Sequence, residues 1–202
     1  MAGPTAGARR HRVVVIGSGF GGLTAAKALK RADVDVTLIA KTTSHLFQPL
    51  LYQLATGILS AGDIAPTTRL ILKKNKNCRV LLGDVEEIDL ANRTITSRLM
   101  AMETVIPFDS LIVAAGAQQN YFGNDRFATF APGMKTIDDA LELRGRIMGA
   151  FEAAEVTTDP AERVRRMYRK VYQRPPTEAQ VAAALEFLAA ARNEPTPAPP
   201  KP

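Results

Sequence analysis

The feature that most constrains the fold is a glycine-rich segment at residues 17–22, Gly-Ser-Gly-Phe-Gly-Gly, with the spacing G-x-G-x-x-G. It directly follows the β-branched run Val13–Ile16 and precedes a helical pattern from about Leu23 to Arg31. A second β-branched stretch, 35–39, completes a strand–helix–strand unit. In this context Gly17 permits a tight turn, Gly19 lets the backbone approach a pyrophosphate, and Gly22 lets helix and strand pack closely. The pattern predicts a site for a dinucleotide at the start of the first helix, and a purely structural glycine turn is the alternative.

Further strands are predicted at 79–82 and 110–114, with a hairpin that turns at Ala91-Asn92. The runs 13–16 and 110–114 are apolar without alternation, as in parallel strands that are buried on both faces. The expected fold is therefore α/β: a Rossmann-like FAD/NAD(P)-binding domain whose parallel sheet carries a small β-hairpin insertion, incomplete and followed by a short helical tail.

Glycine and proline usage suggests the domain boundaries. All 14 glycines lie at or before Gly149, whereas seven of the 13 prolines lie in 175–202. We expect a disordered basic lead-in at 1–11, the nucleotide-binding domain at 12–160, a helical tail at 161–193 and a disordered proline-rich end at 194–202.

Three helix starts are marked by capping signals: Thr136 with Asp139, Asp159 before Pro160, and Thr177 with Gln180. The first two helices are expected at the end of the domain and the start of the tail. Apolar stripes are predicted along the first and third helices, at Ala140, Leu141, Ile147, Met148 and Phe151, and at Val181, Leu185 and Leu188. Tyr168 and Tyr172, four residues apart, are predicted to pack on one helical face.

The net charge of +6 does not indicate a nucleic-acid partner, because it lies at the ends of the chain. Residues 1–12 contribute +3 and residues 161–202 contribute +4, so the body between them is near neutral. One cysteine, Cys78, excludes a disulfide framework, a cysteine-based zinc site and a two-cysteine redox pair. No apolar stretch reaches the length of a helix that spans a membrane, so a cytoplasmic location is expected. Separately, no metal site is predicted.

The acidic residue that commonly binds the ribose is missing after the second strand, where Ala40-Lys41 stands instead. Lys41, Thr42 or main-chain groups would then hold the ribose, which is compatible with an FAD-type site. The later segment Phe108–Ala117 is a buried strand that ends in small residues, which would let a cofactor approach; an ordinary core strand that ends at a glycine turn is the alternative.

Together these residues resemble the N-terminal part of type II NADH dehydrogenases, the single-subunit, non-pumping NADH:quinone oxidoreductases. The resemblance covers about residues 12–163. It rests on three segments: 11–22, with the glycine motif; 45–53, His-Leu-Phe-Gln-Pro-Leu-Leu-Tyr-Gln; and 111–123, which contains Gln118-Gln119-Asn120-Tyr121-Phe122.

This resemblance implies FAD as the cofactor, with hydride passing from NADH to the flavin and electrons then passing to a quinone of the respiratory chain. It implies peripheral association with the inner face of the plasma membrane. The loop Phe47-Gln48-Pro49-Leu50 should approach the isoalloxazine, and His45 and Gln48 are interpreted as polar loop residues without chemistry. The residues that would contact FAD are, at the pyrophosphate, Gly17, Ser18, Gly19, Phe20, Gly21 and Gly22; near the ribose, Lys41; beside the adenine, Val85; and near the flavin, Gln48, Pro49, Leu50, Ala115 and Gly116.

The family pattern is expected to stop after Arg163, because no second glycine-rich fingerprint for NADH follows and the family's membrane helices are absent. We therefore expect a truncated or fused product, weakly active or inactive alone, and assign no catalytic residue. The first alternative is a non-catalytic dinucleotide-binding or interaction module. The second is another flavoprotein, such as a sulfide:quinone or pyridine-nucleotide disulfide oxidoreductase, which the single cysteine disfavours.

Overall fold

The computed structural model describes residues 9–129 and 131–193, and the prediction for 194–202 lies outside them. Over these residues the strands are β1 His11–Ile16, β2 Val34–Ala40, β3 Cys78–Leu82, β4 Asp84–Asp89, β5 Thr94–Leu99, β6 Met102–Pro107 and β7 Ser110–Val113. The α-helices are α1 Phe20–Ala28, α2 Leu51–Ala55, α3 Ala61–Ile64, α4 Thr68–Ile71, α5 Ile137–Glu155, α6 Pro160–Tyr172 and α7 Glu178–Asn193. The described residues divide into two compact units, one within residues 1–50 and 60–118 and the other within residues 51–59 and 119–202.

The first unit is built on a four-stranded parallel sheet in the order β3-β2-β1-β7. The predicted strand–helix–strand unit is confirmed, with α1 between β1 and β2. Successive β1 side chains alternate between two buried clusters, which explains why this strand is apolar without a break. Val13 and Val15 pack with Leu23 and Ala26 of α1, whereas Val14 packs on the opposite face of the sheet.

That opposite face is covered by an antiparallel sheet in the order β4-β5-β6. The predicted hairpin is confirmed: β4 and β5 are joined across a turn in which Arg93 adopts a left-handed conformation, with φ 54°. The third strand, β6, was not predicted from the sequence. Its residue Ile106 lies opposite Ile95 of β5, and both side chains are fully buried beneath the parallel sheet.

Of the predicted lead-in at 1–11, residues 1–8 lie outside the described residues. β1 begins at His11, and Arg9 and Arg10 already form ion pairs with Asp109 and Asp33. The boundaries of 12–160 for a nucleotide-binding domain and 161–193 for a tail remain predictions.

The second unit is helical: α2 and α6 pack on α5, and α7 packs on α6. All three predicted caps are confirmed. Thr136 and Asp139 form a capping box, the Asp159 carboxylate accepts from the Ala161 and Glu162 amides, and Thr177 and Gln180 exchange hydrogen bonds. The Tyr168 and Tyr172 rings lie 4.5 Å apart between centroids, as predicted.

The apolar stripe predicted for α5 is wrong in part. Ala140 is buried as predicted and Ile147 is half-buried, but Leu141, Met148 and Phe151 are exposed, and the other buried positions are Ala150 and Ala154. Close approach of neighbouring helices favours these small residues, so packing selects the alanine face. On α7, Val181 is buried as predicted but Leu188 is exposed.

Candidate functional site

The glycine-rich segment lies where β1 ends and α1 begins, at the carboxyl edge of the parallel sheet. Gly17 has φ +101°, and its N–H donates to the Ile39 carbonyl oxygen at 2.7 Å. A Cβ atom on Gly17 would overlap the Ala114 carbonyl, and one on Gly22 would overlap the Gly17 carbonyl. Both glycines are therefore required by the turn and by the close packing of helix on strand, as the motif predicts.

Gly19 differs from these two glycines, because a Cβ atom placed there would meet no atom within 4 Å. Its backbone is extended, with φ −69° and ψ −167°, so it does not need glycine's conformational freedom. Gly19 is also the N-cap of α1, next to amide groups that have no partner within the helix. The residues thus fit an anionic group at this helix start, since open space, free amides and the helix dipole coincide.

The segment after β7 approaches the glycine-rich fingerprint, residues 17–22, through Ala114. Besides the approach of Ala114 to Gly17, a Cβ atom on Gly21 would lie 3.5 Å from the Ala114 side chain. Ala115 and Gly116 follow at the surface, and Gly116 has φ +78° with open space around it. The structure therefore brings the two motifs together, as parallel strands with a common carboxyl edge require.

His45 contacts the fingerprint more directly than the sequence suggested. Its side chain is buried, and its Nδ1 lies 2.8 Å from the Ser18 carbonyl oxygen. Its ring meets Phe20 edge-on at 5.2 Å, and Phe47 meets Phe20 in the same manner at 5.4 Å. Sequence reasoning omitted His45 from the site; the available signal was one histidine directly before an apolar loop. Next to these rings, Gln48, Pro49 and Leu50 form a turn of 3-10 helix.

Lys41 follows the end of β2, where the ribose is expected, and its Nζ lies 2.9 Å from an Asp84 carboxylate oxygen. Both side chains are largely exposed. Asp84 opens β4, so a carboxylate lies beside the end of β2, where the sequence itself has none. Val85 follows and packs on the cluster that contains Ile16, the residue before the fingerprint. The roles of Lys41 and Val85 toward a cofactor remain predictions.

Two other features of the described residues in the first unit are weaker candidates for a functional centre. A cavity of about 430 Å³ lies near the amino ends of β1–β3, lined among others by Arg12, Lys76 and Arg79. It is at the opposite edge of the sheet from the fingerprint and has no helix start beside it. Burial raises the pKa of the Cys78 thiol, which disfavours the thiolate that disulfide chemistry needs. The described residues hold no cluster of three or more potential metal ligands, nor a helix long and apolar enough to cross a membrane.

Comparison with known proteins identifies the family. The family model of the pyridine nucleotide-disulphide oxidoreductases matches residues 11–158. This range includes the glycine-rich fingerprint, the loop at 45–50 and the segment after β7. The chain belongs to this family. Within the family, it is 74% identical over 186 residues to the type II NADH:quinone oxidoreductase NdhA of Mycobacterium tuberculosis, an alignment that covers 92% of the chain. It is 62% identical over 181 residues, 90% of the chain, to Ndh of the same organism.

A solved structure of this oxidoreductase family agrees. NDH2 from Plasmodium falciparum, in complex with RYL-552, superposes with a TM-score of 0.69 and 26% identity, over 78% of this chain and 32% of that one. The resemblance to type II NADH:quinone oxidoreductases is thus confirmed, but the expected stop after Arg163 is wrong, because an alignment over 186 of the 202 residues extends into α6 and α7. The chain spans only 40% and 39% of the length of the two mycobacterial relatives.

Proposed function

We propose that this chain is the FAD-binding part of a type II NADH:quinone oxidoreductase. The observation that carries the proposal is the contrast between Gly17 and Gly22, which the fold itself requires, and Gly19, which faces open space at the start of α1. A structural turn explains the first two glycines but not the third, since Gly19 has neither a positive φ nor a close neighbour at its Cβ position. Its absent side chain is explained by a ligand that must approach the backbone.

The residues that would hold FAD are those around this start. The amides of residues 19–22 would bind the pyrophosphate, and Ala115 and Gly116 would lie near the flavin. The turn Gln48–Leu50, next to the Phe20 and Phe47 rings, would cover the isoalloxazine, with Lys41 and Val85 near the ribose and the adenine. FAD, when bound, would supply hydride acceptance from NADH and electron transfer to a quinone; the chain's own residues would bind and orient it.

The substrates of the complete enzyme would be NADH and a quinone at the inner face of the plasma membrane. For the 202-residue chain alone we expect FAD binding with weak or no turnover, because a cofactor site with only part of its walls loses contact area and exposes the reduced flavin to solvent. Under this proposal the chain shares the binding chemistry of its relatives without all of their catalysis.

The experiment is titration of the purified chain with FAD, followed by flavin absorbance and fluorescence, and then an NADH oxidation assay with a soluble quinone. The matched control is Gly19→Ala, which fits the backbone and the free space of the protein without ligand. Saturable FAD binding that Gly19→Ala weakens supports the proposal. Failure of the folded chain to bind FAD overturns it. Binding without turnover identifies the chain as a flavin-binding module.

A further inference from the structure

The buried ring of His45 faces the fingerprint, and the direction of its hydrogen bond is set by chemistry. The Ser18 carbonyl oxygen, 2.8 Å from Nδ1, can only accept a hydrogen bond. Nδ1 must therefore carry the proton and donate it. Ser18 is itself buried, and its hydroxyl donates to the Ser44 carbonyl oxygen at 3.4 Å, so residues 44–45 hold Ser18 at two points.

The hydrogen bond from His45 Nδ1–H to the Ser18 carbonyl oxygen sets the orientation of the Gly19 N–H. The Ser18–Gly19 peptide is planar and trans, so its C=O and its N–H point in opposite directions. A bond that holds the Ser18 oxygen toward His45 consequently turns the Gly19 N–H away from it. Gly19 is the fingerprint residue with open space at its Cβ position and the N-cap of α1.

The His45 side chain, which carries the Nδ1–H donor, is held rigidly. The backbone N–H of His45 donates to Pro66 at 2.9 Å, and that of Phe47 donates to Ile64 at 2.8 Å, so the histidine sits on a segment pinned on both sides. The Phe20 ring, edge-on at 5.2 Å, restricts rotation of the imidazole. Groups that are fixed before a ligand arrives bind it without an ordering cost.

We propose that His45 is a positioning residue for the pyrophosphate of the dinucleotide: its Nδ1–H holds the Ser18–Gly19 peptide so that the Gly19 amide is available to an anionic phosphate oxygen. This inference rests on the proposed function, since it requires that a dinucleotide binds here. It gives the single histidine of the 45–53 motif a role that does not involve the reacting atoms.

The test compares two substitutions in the full chain. His45→Phe keeps an aromatic ring but removes the donor, whereas His45→Asn places an amide N–H near the position of Nδ1. We expect His45→Phe to weaken FAD binding about tenfold, the effect of losing one well-placed hydrogen bond, and His45→Asn to restore most of the affinity. The phosphorus NMR signals of bound FAD should shift in His45→Phe and return in His45→Asn.

A stability control separates positioning from folding. Asn75→Ala removes a buried hydrogen bond, from Nδ2 to the Ala26 carbonyl at 3.0 Å, at the far end of α1. It should lower the melting temperature without changing FAD affinity. If Asn75→Ala weakens FAD binding as much as His45→Phe does, or if His45→Phe binds FAD like the wild type, the inference is overturned.

Two further outcomes are distinguishable. If the wild-type chain folds but binds no FAD, the proposed function fails, and the inference fails with it. If His45→Phe does not fold, His45→Leu replaces it, because leucine also lacks a hydrogen-bond donor. A wild-type affinity and unshifted phosphorus signals in His45→Leu would then refute the role of His45.

Discussion

Asp109 accepts hydrogen bonds from both the backbone N–H of Arg12, at 2.8 Å, and its guanidinium Nη2, at 3.1 Å. Arg9 donates to the same carboxylate at 2.9 Å. The contact ties the beginning of β1 to the residue before β7, 97 positions later in the chain. It fixes the start of both strands, and thereby their parallel register, at the edge of the sheet opposite the fingerprint.

Replacing the Asp109 carboxylate should make the free energy of unfolding depend less on pH in the acidic range. The hydrogen bonds from Arg12, helped by the charges of Arg12 and Arg9, hold the pKa of Asp109 far below its ordinary value of 3.8. Such a depressed pKa stabilises the fold at neutral pH, and the contribution is lost as the pH falls below 3.8. Asp109→Asn should therefore be less stable than the wild type at pH 7, with a difference that narrows toward pH 3.

Urea unfolding at a series of pH values measures this difference. Glu87→Gln, at an exposed position on β4, is the control and should follow the wild type throughout. A gap between Asp109→Asn and the wild type that widens as the pH falls would contradict the assignment.

Alanine at two neighbouring glycines should have opposite effects on the stability of the protein without cofactor. Gly22→Ala places a methyl group against the Gly17 carbonyl and should destabilise the fold by about 1–3 kcal/mol through overpacking. Gly21→Ala meets only an ordinary contact at 3.5 Å in the first turn of α1 and should be neutral or stabilising by up to about 1 kcal/mol. Thermal unfolding of both variants checks this, and equal effects would show that the turn is looser than described.

Asn77 should be sensitive to an isosteric change. Its Nδ2 donates to the carbonyls of Leu29, Ala32 and Val34, at 2.9, 3.3 and 3.2 Å, and so ties the end of α1 to β2. Asn77→Asp would direct a carboxylate at three carbonyl oxygens and should cost about 1–3 kcal/mol at pH 7, more than Asn77→Ala. Denaturant unfolding measures the cost. Gln118→Glu, the same amide-to-carboxylate change at an exposed position outside the helices and strands, should change stability little, and an equal loss there would contradict the proposed cause.

The capping box of α5 offers a test in the helical unit. The Thr136 hydroxyl accepts from the Asp139 amide at 3.1 Å, and the Asp139 carboxylate accepts from the Thr136 amide at 2.9 Å. Thr136→Ala should destabilise this unit by about 1 kcal/mol, whereas Thr136→Ser should preserve the cap. Circular dichroism during thermal unfolding distinguishes the two, and a serine variant as unstable as alanine would show that the methyl group matters more than the cap.

Much of the fold could be read from local patterns. The run 13–16, the fingerprint, the turn at 91–92 and the three caps all encode their structures within a few residues, because backbone conformation and capping depend on near neighbours. β6 escaped prediction because Met102–Pro107 alternates only weakly and becomes a strand by pairing with β5. On α5, apolar residues lie on more than one face, so the buried face depends on which helices pack there.

The candidate site likewise combines features that the local sequence predicts with contacts that only the tertiary fold creates. Gly17 and Gly22 have structural roles that the spacing of the motif predicts, since the tight turn and the close packing of helix on strand require glycine at these two positions, whereas the role of Gly19 toward a ligand remains a prediction. The pairing of His45 with Ser18, of Lys41 with Asp84 and of Arg12 with Asp109 joins residues 27, 43 and 97 positions apart. Such contacts exist because folding brings distant strand ends together, the first two at the carboxyl edge of the sheet and the third at its opposite edge, and there geometry rather than any sequence pattern selects the partners.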